Sequence, residues 1–342
     1  MKRFWVLVVL LGMLVVPVGS YAQTDTPTTT PTTTPTATTT NTYAPTPTPA
    51  NTPFGNSQAI LVPDTGDGNV RQLNASDQSE ERDLITLASA KYIVQLQNYN
   101  LVVKAGSTLK EYEDDGTFVK TWACSGTNSY DMVVHPDTGN VLLAGWLSDN
   151  IRECNSSDGS AVGIWATLGA DCDTPYHMEI GPTDGHLYVS CIGTTHNIVV
   201  FHRNDKQVVN AGFLDTGYES LRQFTFGTTN VFVSDPGVGS ADEVEEYNSS
   251  GVWQNVFTTA PLNPQGLGVT NAGTIAVMNY GNPENIEEYD QDTGALITDE
   301  WGPTFQNSIM WMYASVEDTP TPTPSPTPLS NRRRVIKASV LN

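Results

Sequence analysis

Residues 130–166, YDMVVHPDTGNVLLAGWLSDNIRECNSSDGSAVGIWA, contain four short β-prone segments separated by turn signals. Asp, Asn, Ser and Gly are concentrated between the segments, and these residues favour tight reversals because glycine and asparagine tolerate a positive φ angle. The pattern predicts four consecutive antiparallel strands, here labelled A to D in chain order.

The same unit recurs along the chain with a period of about 40 to 46 residues, which is typical of β-propeller blades. The segments assigned to strands B and C each occur six times. The B segments begin at Ala59, Asn100, Asn140, His186, Asn230 and Thr274, and the C segments begin at Asn69, Thr108, Asn150, Asn197, Glu243 and Asn285.

The two ends of the repeat region complement each other. The first unit, which begins at Ala59, has no A segment before it, whereas QNSIMWMYA (306–314) follows the last complete unit as an unpaired A segment. Joining them would pair two otherwise exposed sheet edges. The sequence therefore predicts an all-β fold, a six-bladed β-propeller with four antiparallel strands per blade. Its first blade combines N-terminal strands B, C and D with C-terminal strand A.

A β-sandwich or a β-helix is the alternative fold. Units of about 44 residues are too long for one coil of a β-helix, and a sandwich gives no reason for complementary ends.

Three stretches resemble a known group of propellers: WLSDNIREC (146–154), TTHNIVVFHRND (194–205) and GNPENIEEYDQDTG (281–294). They are similar to NHL-repeat and SMP-30-like six-bladed β-propellers, whose blades share an Asn-Ile/Val-x-x-Tyr/Phe strand followed by an Asp-Gly turn. The resemblance spans residues 51–316 and implies the fold, but it says little about function. SMP-30-like hydrolases hold a metal in the channel with Glu, Asn and Asp, and this chain does not match that ligand set residue by residue.

The chain divides into five segments by composition. We predict a signal peptide at 1–22, a Thr/Pro-rich linker at 23–53, the propeller at 54–316, a second Thr/Pro-rich linker at 317–328 and a basic, disordered tail at 329–342. Thr/Pro-rich chain is extended, semi-rigid and a common site of O-glycosylation. The tail could instead be a sorting signal or a strand donated to a neighbouring molecule.

The signal peptide is predicted from the order of its residues. Two basic residues precede an apolar run of about fifteen residues, which ends in Gly-Ser-Tyr-Ala. An uncleaved membrane anchor is the alternative, but this run is shorter than the roughly twenty residues that span a bilayer. We therefore expect a secreted, extracellular protein without a transmembrane segment after signal removal, with association with a cell surface or matrix as a further option.

The charge of the propeller excludes one class of partner. Of 16 basic residues, six lie in the signal peptide or the tail, which leaves ten against 34 acidic residues in 54–316 and a net charge of about −24. Such a surface repels phosphate backbones, so nucleic acid is not expected as a partner.

Four cysteines, an even number in an exported chain, predict two disulfides rather than a zinc site. We predict that Cys124 pairs with Cys172 and Cys154 with Cys191, with crossed pairing or four buried thiols as alternatives. Three Asn-x-Ser sequons, at Asn74, Asn155 and Asn248, are either glycosylation sites or ordinary turn residues.

Ligand-binding residues are expected where strands A begin, because connections at that end gather around the channel mouth. Tyrosines beside acidic, basic and amide side chains suit a glycan or a peptide, since the rings stack and the polar tips hydrogen-bond. Alternatively, Tyr130 and Tyr176 only wedge between blades. The predicted set is Tyr92, Tyr130, Asp131, Tyr176, His177, Arg222, Gln223, Gln265 and Asn307.

Asp131, His177 and Glu219 form a candidate site for a divalent cation, calcium or magnesium. No other cofactor is predicted. A histidine on an inner strand is also commonly a hydrogen-bonded structural residue. Familiar catalytic motifs, such as G-x-S-x-G and H-E-x-x-H, are absent from the sequence.

These features favour a non-catalytic binding or scaffold module that engages a glycan, a peptide or an extracellular protein at the channel mouth. The first alternative is a metal-dependent hydrolase or lyase of the SMP-30-like or streptogramin-lyase-like type. The second is a structural subunit of a surface layer or filament that self-associates through its tail.

Overall fold

The structure is a computed structural model. It describes residues 58–74, 77–125, 128–194, 196–215, 221–236, 242–259, 263–270, 272–280, 284–301, 305 and 312–315. The predicted signal peptide, both linkers and the basic tail lie outside these residues.

The described strands form six four-stranded antiparallel sheets, each in the order A-B-C-D, as predicted. Blade one contains β1 (Gln58–Asp64), β2 (Asn69–Asn74), β3 (Glu80–Thr86) and β24 (Met312–Ser315). Blade two contains β4 (Ala90–Gln95), β5 (Leu101–Ala105), β6 (Thr108–Tyr112) and β7 (Phe118–Thr121). Blade three contains β8 (Ser129–Val134), β9 (Val141–Gly145), β10 (Asn150–Cys154) and β11 (Ala161–Thr167).

Blade four contains β12 (Pro175–Ile180), β13 (Leu187–Cys191), β14 (Asn197–Phe201) and β15 (Val208–Asp215). Blade five contains β16 (Phe224–Phe226), β17 (Asn230–Asp235), β18 (Glu243–Asn248) and β19 (Trp253–Thr258). Blade six contains β20 (Pro264–Val269), β21 (Ile275–Asn279), β22 (Asn285–Tyr289) and β23 (Leu296–Thr298). A short 3₁₀ turn, Gly169–Asp171, precedes β12.

Blade one closes the ring with strands from both ends of the repeat region. β24 pairs antiparallel with β1, placing Tyr313 opposite Ile60 and Met312 opposite Leu61. The predicted composite blade is confirmed.

The core consists of layers between neighbouring blades. The described residues form six buried apolar clusters, and each draws its members chiefly from two adjacent blades. Leu61 of blade one and Ile93 of blade two share one cluster, for example, and Ile60 and Met278 share the cluster between blades one and six. Strands A and B are therefore fixed by contacts on both faces, which explains the nearly continuous apolar runs of strand B.

Buried glutamates on strands C are satisfied by a recurring set of donors. Glu111 accepts hydrogen bonds from Asn100 Nδ2 at 2.6 Å and from Trp122 Nε1 at 2.8 Å. Asn140 donates to Glu153 in the same way at 2.7 Å. A buried carboxylate needs such partners, so these contacts are a structural part of the repeat.

Two disulfides are present, as predicted, but the predicted pairing was wrong. Cys124 pairs with Cys154, at a Cα–Cα distance of 5.9 Å, and Cys172 pairs with Cys191, at 5.2 Å. The prediction paired the two cysteines of D-to-A connections with each other, and the two cysteines at strand ends with each other. In the structure each of these two cysteine-bearing D-to-A connections is instead linked to the blade that follows it. Two disulfides fit an oxidising compartment, and no helix within the described ranges is long and apolar enough to cross a membrane.

Candidate functional site

The A strands bring eight of the nine predicted ligand-binding residues to one end of the channel in two adjacent layers. Strand pairing aligns Tyr92 and His177, which lie opposite Lys104 and Ser190 of their B strands. Asp131 and Gln223 precede Met132 and Phe224, whose pairing gives them the same position in their own blades. We call these four residues the latch layer. The residues one position earlier, Lys91, Tyr130, Tyr176, Arg222 and Gln265, form the mouth layer.

Three latch residues reach into the next blade. Asp131 Oδ2 accepts a hydrogen bond from the backbone N–H of Met178 at 2.8 Å, and Gln223 Oε1 accepts one from Leu267 at 3.1 Å. Between them, His177 Nε2 lies 3.1 Å from the carbonyl oxygen of Phe224. Each contact joins an A strand to the following A strand, so these side chains fasten blades three to six around the channel.

His177 is held as a buried imidazolium. Its Nδ1 lies 2.8 Å from Asp131 Oδ2 and its Nε2 lies 4.0 Å from Glu179 Oε2. Burial lowers the pKa of His177, but the negative charge of Asp131 outweighs it and, with Glu179, raises that pKa to about 9. Both ring nitrogens therefore face acceptor oxygens, and the ring is in its protonated, positively charged form at neutral pH. Burial raises the pKa of Glu179.

The mouth layer forms a continuous stack across three blades. The rings of Tyr130 and Tyr176 stack at 4.9 Å, and the Arg222 guanidinium lies 5.1 Å from the centre of the Tyr176 ring. The Tyr176 hydroxyl donates to Gln265 Oε1 at 3.4 Å, two blades further on. Trp146 meets the Tyr130 ring edge-on at 5.0 Å. Rings and polar tips from four blades thus converge at the channel mouth.

Part of this stack remains open to solvent. Tyr130, Arg222, Trp146 and Lys91 are partly exposed, whereas Tyr176 is buried beneath them. The alternative interpretation is that Tyr130 and Tyr176 only wedge between blades. It describes the buried Tyr176, but it does not explain the accessible aromatic and cationic surface at the mouth.

Sequence reasoning missed Lys104, which lies beneath the mouth on β5. It is only 5% exposed, and its ammonium lies 5.4 Å from the centre of the Tyr92 ring. Burial and the neighbouring charge of Lys91 lower the pKa of Lys104 to about 8. The sequence did contain a signal that sets Lys104 apart, because the B strands of the five other blades carry uncharged residues at the aligned position. They are Pro63, Ala144, Ser190, Ser234 and Met278.

The predicted cation site is only partly described. The structure places Asp131 and His177 together, but they pair with each other, and Glu219 lies outside the described residues, as does the predicted ligand-binding residue Asn307. Within the described part of the chain, no group of three or more His, Cys, Asp or Glu side chains is arranged to hold a metal ion.

The fold is similar to that of solved propellers at very low sequence identity. No protein-family model matches the chain, and no curated protein matches it. A chain from the crystal structure of a nidogen/laminin complex is 10% identical with a TM-score of 0.59, over 75% of this chain and 98% of that one.

Two candidate 6-phosphogluconolactonases are also similar. The protein from Bacteroides fragilis is 11% identical with a TM-score of 0.54, over 76% of this chain and 99% of that one. The protein from Bacteroides uniformis is 10% identical with a TM-score of 0.55, over 76% and 100%. These likenesses show the propeller fold alone, and membership of the NHL-repeat or SMP-30-like group stays a prediction.

Proposed function

We propose that this protein is a secreted, non-catalytic binding module that engages an extracellular glycan, peptide or protein at its channel mouth. One observation carries the proposal: Tyr130, Tyr176, Arg222 and Gln265, from four successive blades, meet in one stacked and hydrogen-bonded group. A ligand that rests on this group contacts the partly exposed Tyr130 and Arg222, which the buried Tyr176 and Gln265 support from beneath.

The chemistry of the mouth suits recognition. Partly exposed rings provide flat apolar contact area with little loss of side-chain entropy, and phenol, guanidinium and amide groups provide directed hydrogen bonds. The latch layer beneath holds these side chains on rigid strands. A preorganised surface of this kind loses less free energy on binding than a flexible loop does.

The flanking segments support an extracellular role. Two disulfides suit an oxidising compartment, and the Thr/Pro-rich segments would hold the propeller away from a surface or matrix. We therefore propose secretion through the N-terminal signal peptide, with the linkers acting as spacers.

Glycan and peptide arrays test the binding role. The mature protein should bind a defined subset of ligands, and Tyr130→Ala should weaken that binding at least tenfold. Tyr99→Ala is the matched control, because Tyr99 is an exposed tyrosine of blade two outside both layers. If no array ligand binds, or if the two variants behave alike, the proposal is wrong.

The metal-dependent hydrolase or lyase remains the rival proposal, and it predicts a different result. Purified protein would contain a divalent cation by elemental analysis and would hydrolyse lactones or esters when that metal is added. Asp131→Asn would then remove both the metal and the activity. Metal-free protein without such activity removes this rival.

A second candidate, self-association, is favoured by the outer strands. Ile164, Val209, Trp253 and Ile297, on four different outer strands, are each at least half exposed. Unpaired strand edges with apolar side chains are surfaces on which another chain can add a strand. Light scattering of the protein with and without the residues after Ser330 tests this: a monomeric mass in both cases contradicts self-association, and a mass that falls only in the truncated protein assigns it to the tail.

A further inference from the structure

We infer that the ligand of the channel mouth is an acidic saccharide, and that Arg222, Tyr92 and Lys104 hold its carboxylate. The inference rests on the binding function proposed above and names the class of ligand for the same site. Two observations support it: buried hydrogen-bond donors that lack partners, and positively charged side chains close to the stacked tyrosines.

Lys104 is a buried cation without a counter-charge. Within the described part of the chain, no acidic group lies within ion-pair distance of its ammonium, which instead contacts the ring of Tyr92. A buried charge is destabilising unless it is paired. The protein keeps this lysine in a position where the five other blades carry small or apolar residues. A ligand carboxylate would supply the missing charge.

Two further donors at this place are unsatisfied. The Tyr92 hydroxyl and the Arg222 Nε atom are buried, and neither has a hydrogen-bond partner among the residues that the structure describes. Tyr92 is 1% exposed and interacts electrostatically with Tyr176, Asp131, Tyr130 and Arg222, so its hydroxyl lies close to the mouth layer and to the Asp131 carboxylate. Buried donors are almost always paired in native proteins, so these two orphans indicate an acceptor that arrives from outside.

The local charge is positive although the domain is strongly acidic. Lys91, Lys104 and Arg222 are three of the ten basic residues between positions 54 and 316. The acidic groups nearby belong to the latch layer and the strand below it: Asp131 is paired with the His177 imidazolium, and Glu179 lies on the far side of that ring. The carboxylate of a ligand would therefore meet unneutralised positive charge.

The surroundings favour a sugar over a peptide as carrier of the carboxylate. Tyr130 and Trp146 are partly exposed and meet edge to face, forming an aromatic surface on which the C–H face of a sugar ring can pack. Arginine binds a planar carboxylate in a two-pronged geometry. The acidic remainder of the domain repels a dense polyanion, so the fitting ligand presents a single uronic acid.

Calorimetric titration of the full-length secreted protein at pH 7 tests the inference. The probes are a trisaccharide ending in glucuronic acid, its methyl ester, the neutral glucose-terminated trisaccharide and triglutamate. We expect the acid to bind at least tenfold more tightly than the other three. Lys104→Met and Arg222→Met should each weaken acid binding at least tenfold, whereas Lys110→Met, a basic residue on the adjacent C strand, should not.

We expect Lys104→Met to fold, because blade six carries Met278 at the position that Lys104 occupies in blade two. A loss of affinity in this variant therefore reports on binding. Lys104→Ser, which copies Ser190 of blade four, is the second variant and should lose the same affinity. Equal binding of acid and methyl ester overturns the inference, and so does tighter binding of triglutamate.

The two proposals fail in different ways. If a neutral glycan or a peptide binds and is lost in Tyr130→Ala but not in Lys104→Met, the binding module stands and the acidic saccharide is wrong. If no probe and no array ligand binds, both proposals are wrong.

Discussion

His177 Nδ1 lies 2.8 Å from Asp131 Oδ2, and the two residues belong to the inner strands of neighbouring blades. The same Asp131 oxygen also accepts the backbone N–H of Met178. One carboxylate therefore fastens two blades and fixes the charge of a buried imidazole. The contact combines a structural role with control of the electrostatics directly beneath the mouth.

Replacing Asp131 with Asn should lower the pKa of His177, because burial would then act without the main opposing charge. We expect a loss of unfolding free energy of about 3 kcal/mol, typical of breaking one partner of a buried pair. Urea unfolding and the ¹H–¹³C NMR titration of His177 measure the two effects. In the double variant Asp131→Asn/His177→Gln, the loss should be smaller than the sum of the single losses. Additive losses would show that the residues are not coupled.

The stabilisation contributed by His177 should decrease as the pH rises from about 6.5 to 9, and it should set the slope of total stability between pH 6.5 and 8, below the pKa of Lys104. The folded protein keeps the His177 proton up to about pH 9, whereas an unfolded histidine releases it near 6.5. The folded state therefore binds more protons in this window, and its stabilisation, complete below pH 6.5, is lost as the pH passes through 9. Unfolding free energies measured in steps of half a pH unit should show this slope. In His177→Gln, which copies Gln223 of blade five, the slope between pH 6.5 and 8 should flatten; an unchanged slope contradicts the assignment.

Lys104→Met should stabilise the protein while weakening its binding. Burial is the main cause that lowers the pKa of Lys104 to about 8, so the lysine stays mostly charged at pH 7 and holding that charge in a buried place costs free energy. Removing this charge should raise the unfolding free energy at pH 7 by roughly 1–3 kcal/mol. Lys110→Met, at a less buried site, should change it by less than about 0.5 kcal/mol. A destabilised Lys104→Met would assign this lysine a structural role instead.

The disulfides offer a test that needs no ligand. Peptide mapping without reduction should find Cys124 linked to Cys154 and Cys172 linked to Cys191, which lie 30 and 19 residues apart. Removing either pair by double substitution to Ala should cost about 3–4 kcal/mol, because each bridge restricts the unfolded chain. Recovery of a Cys124–Cys172 peptide would contradict the structure.

The sequence was sufficient to predict the architecture. The six predicted starts of strand C, from Asn69 to Asn285, are the first residues of the observed strands. The pairing of Ile60 with Tyr313 follows from the missing A segment of the first unit. The strand boundaries depend on residue alternation and turn chemistry, which are local properties of the chain. The closing strand pair follows from counting the repeated segments.

Contacts between blades were not predictable in the same way. Aligning the repeats placed Asp131, His177 and Gln223 at equivalent positions of their blades. It could not show that each side chain contacts the A strand of the following blade instead of pointing to the centre of the channel. The pairing of Cys124 with Cys154 depends on how a connection folds over the following blade. The importance of Lys104 depends on its burial, which the repeat pattern does not encode.

The role of Lys104 in binding can be measured through the pKa of its ammonium, by NMR of ¹³C- and ¹⁵N-labelled lysine. We expect a value of about 8 in the free protein. On saturation with the glucuronic-acid trisaccharide it should rise by at least one unit, because a bound carboxylate stabilises the charged form. An ordinary value near 10.5 in the free protein, or a value that does not move on saturation, would contradict the account.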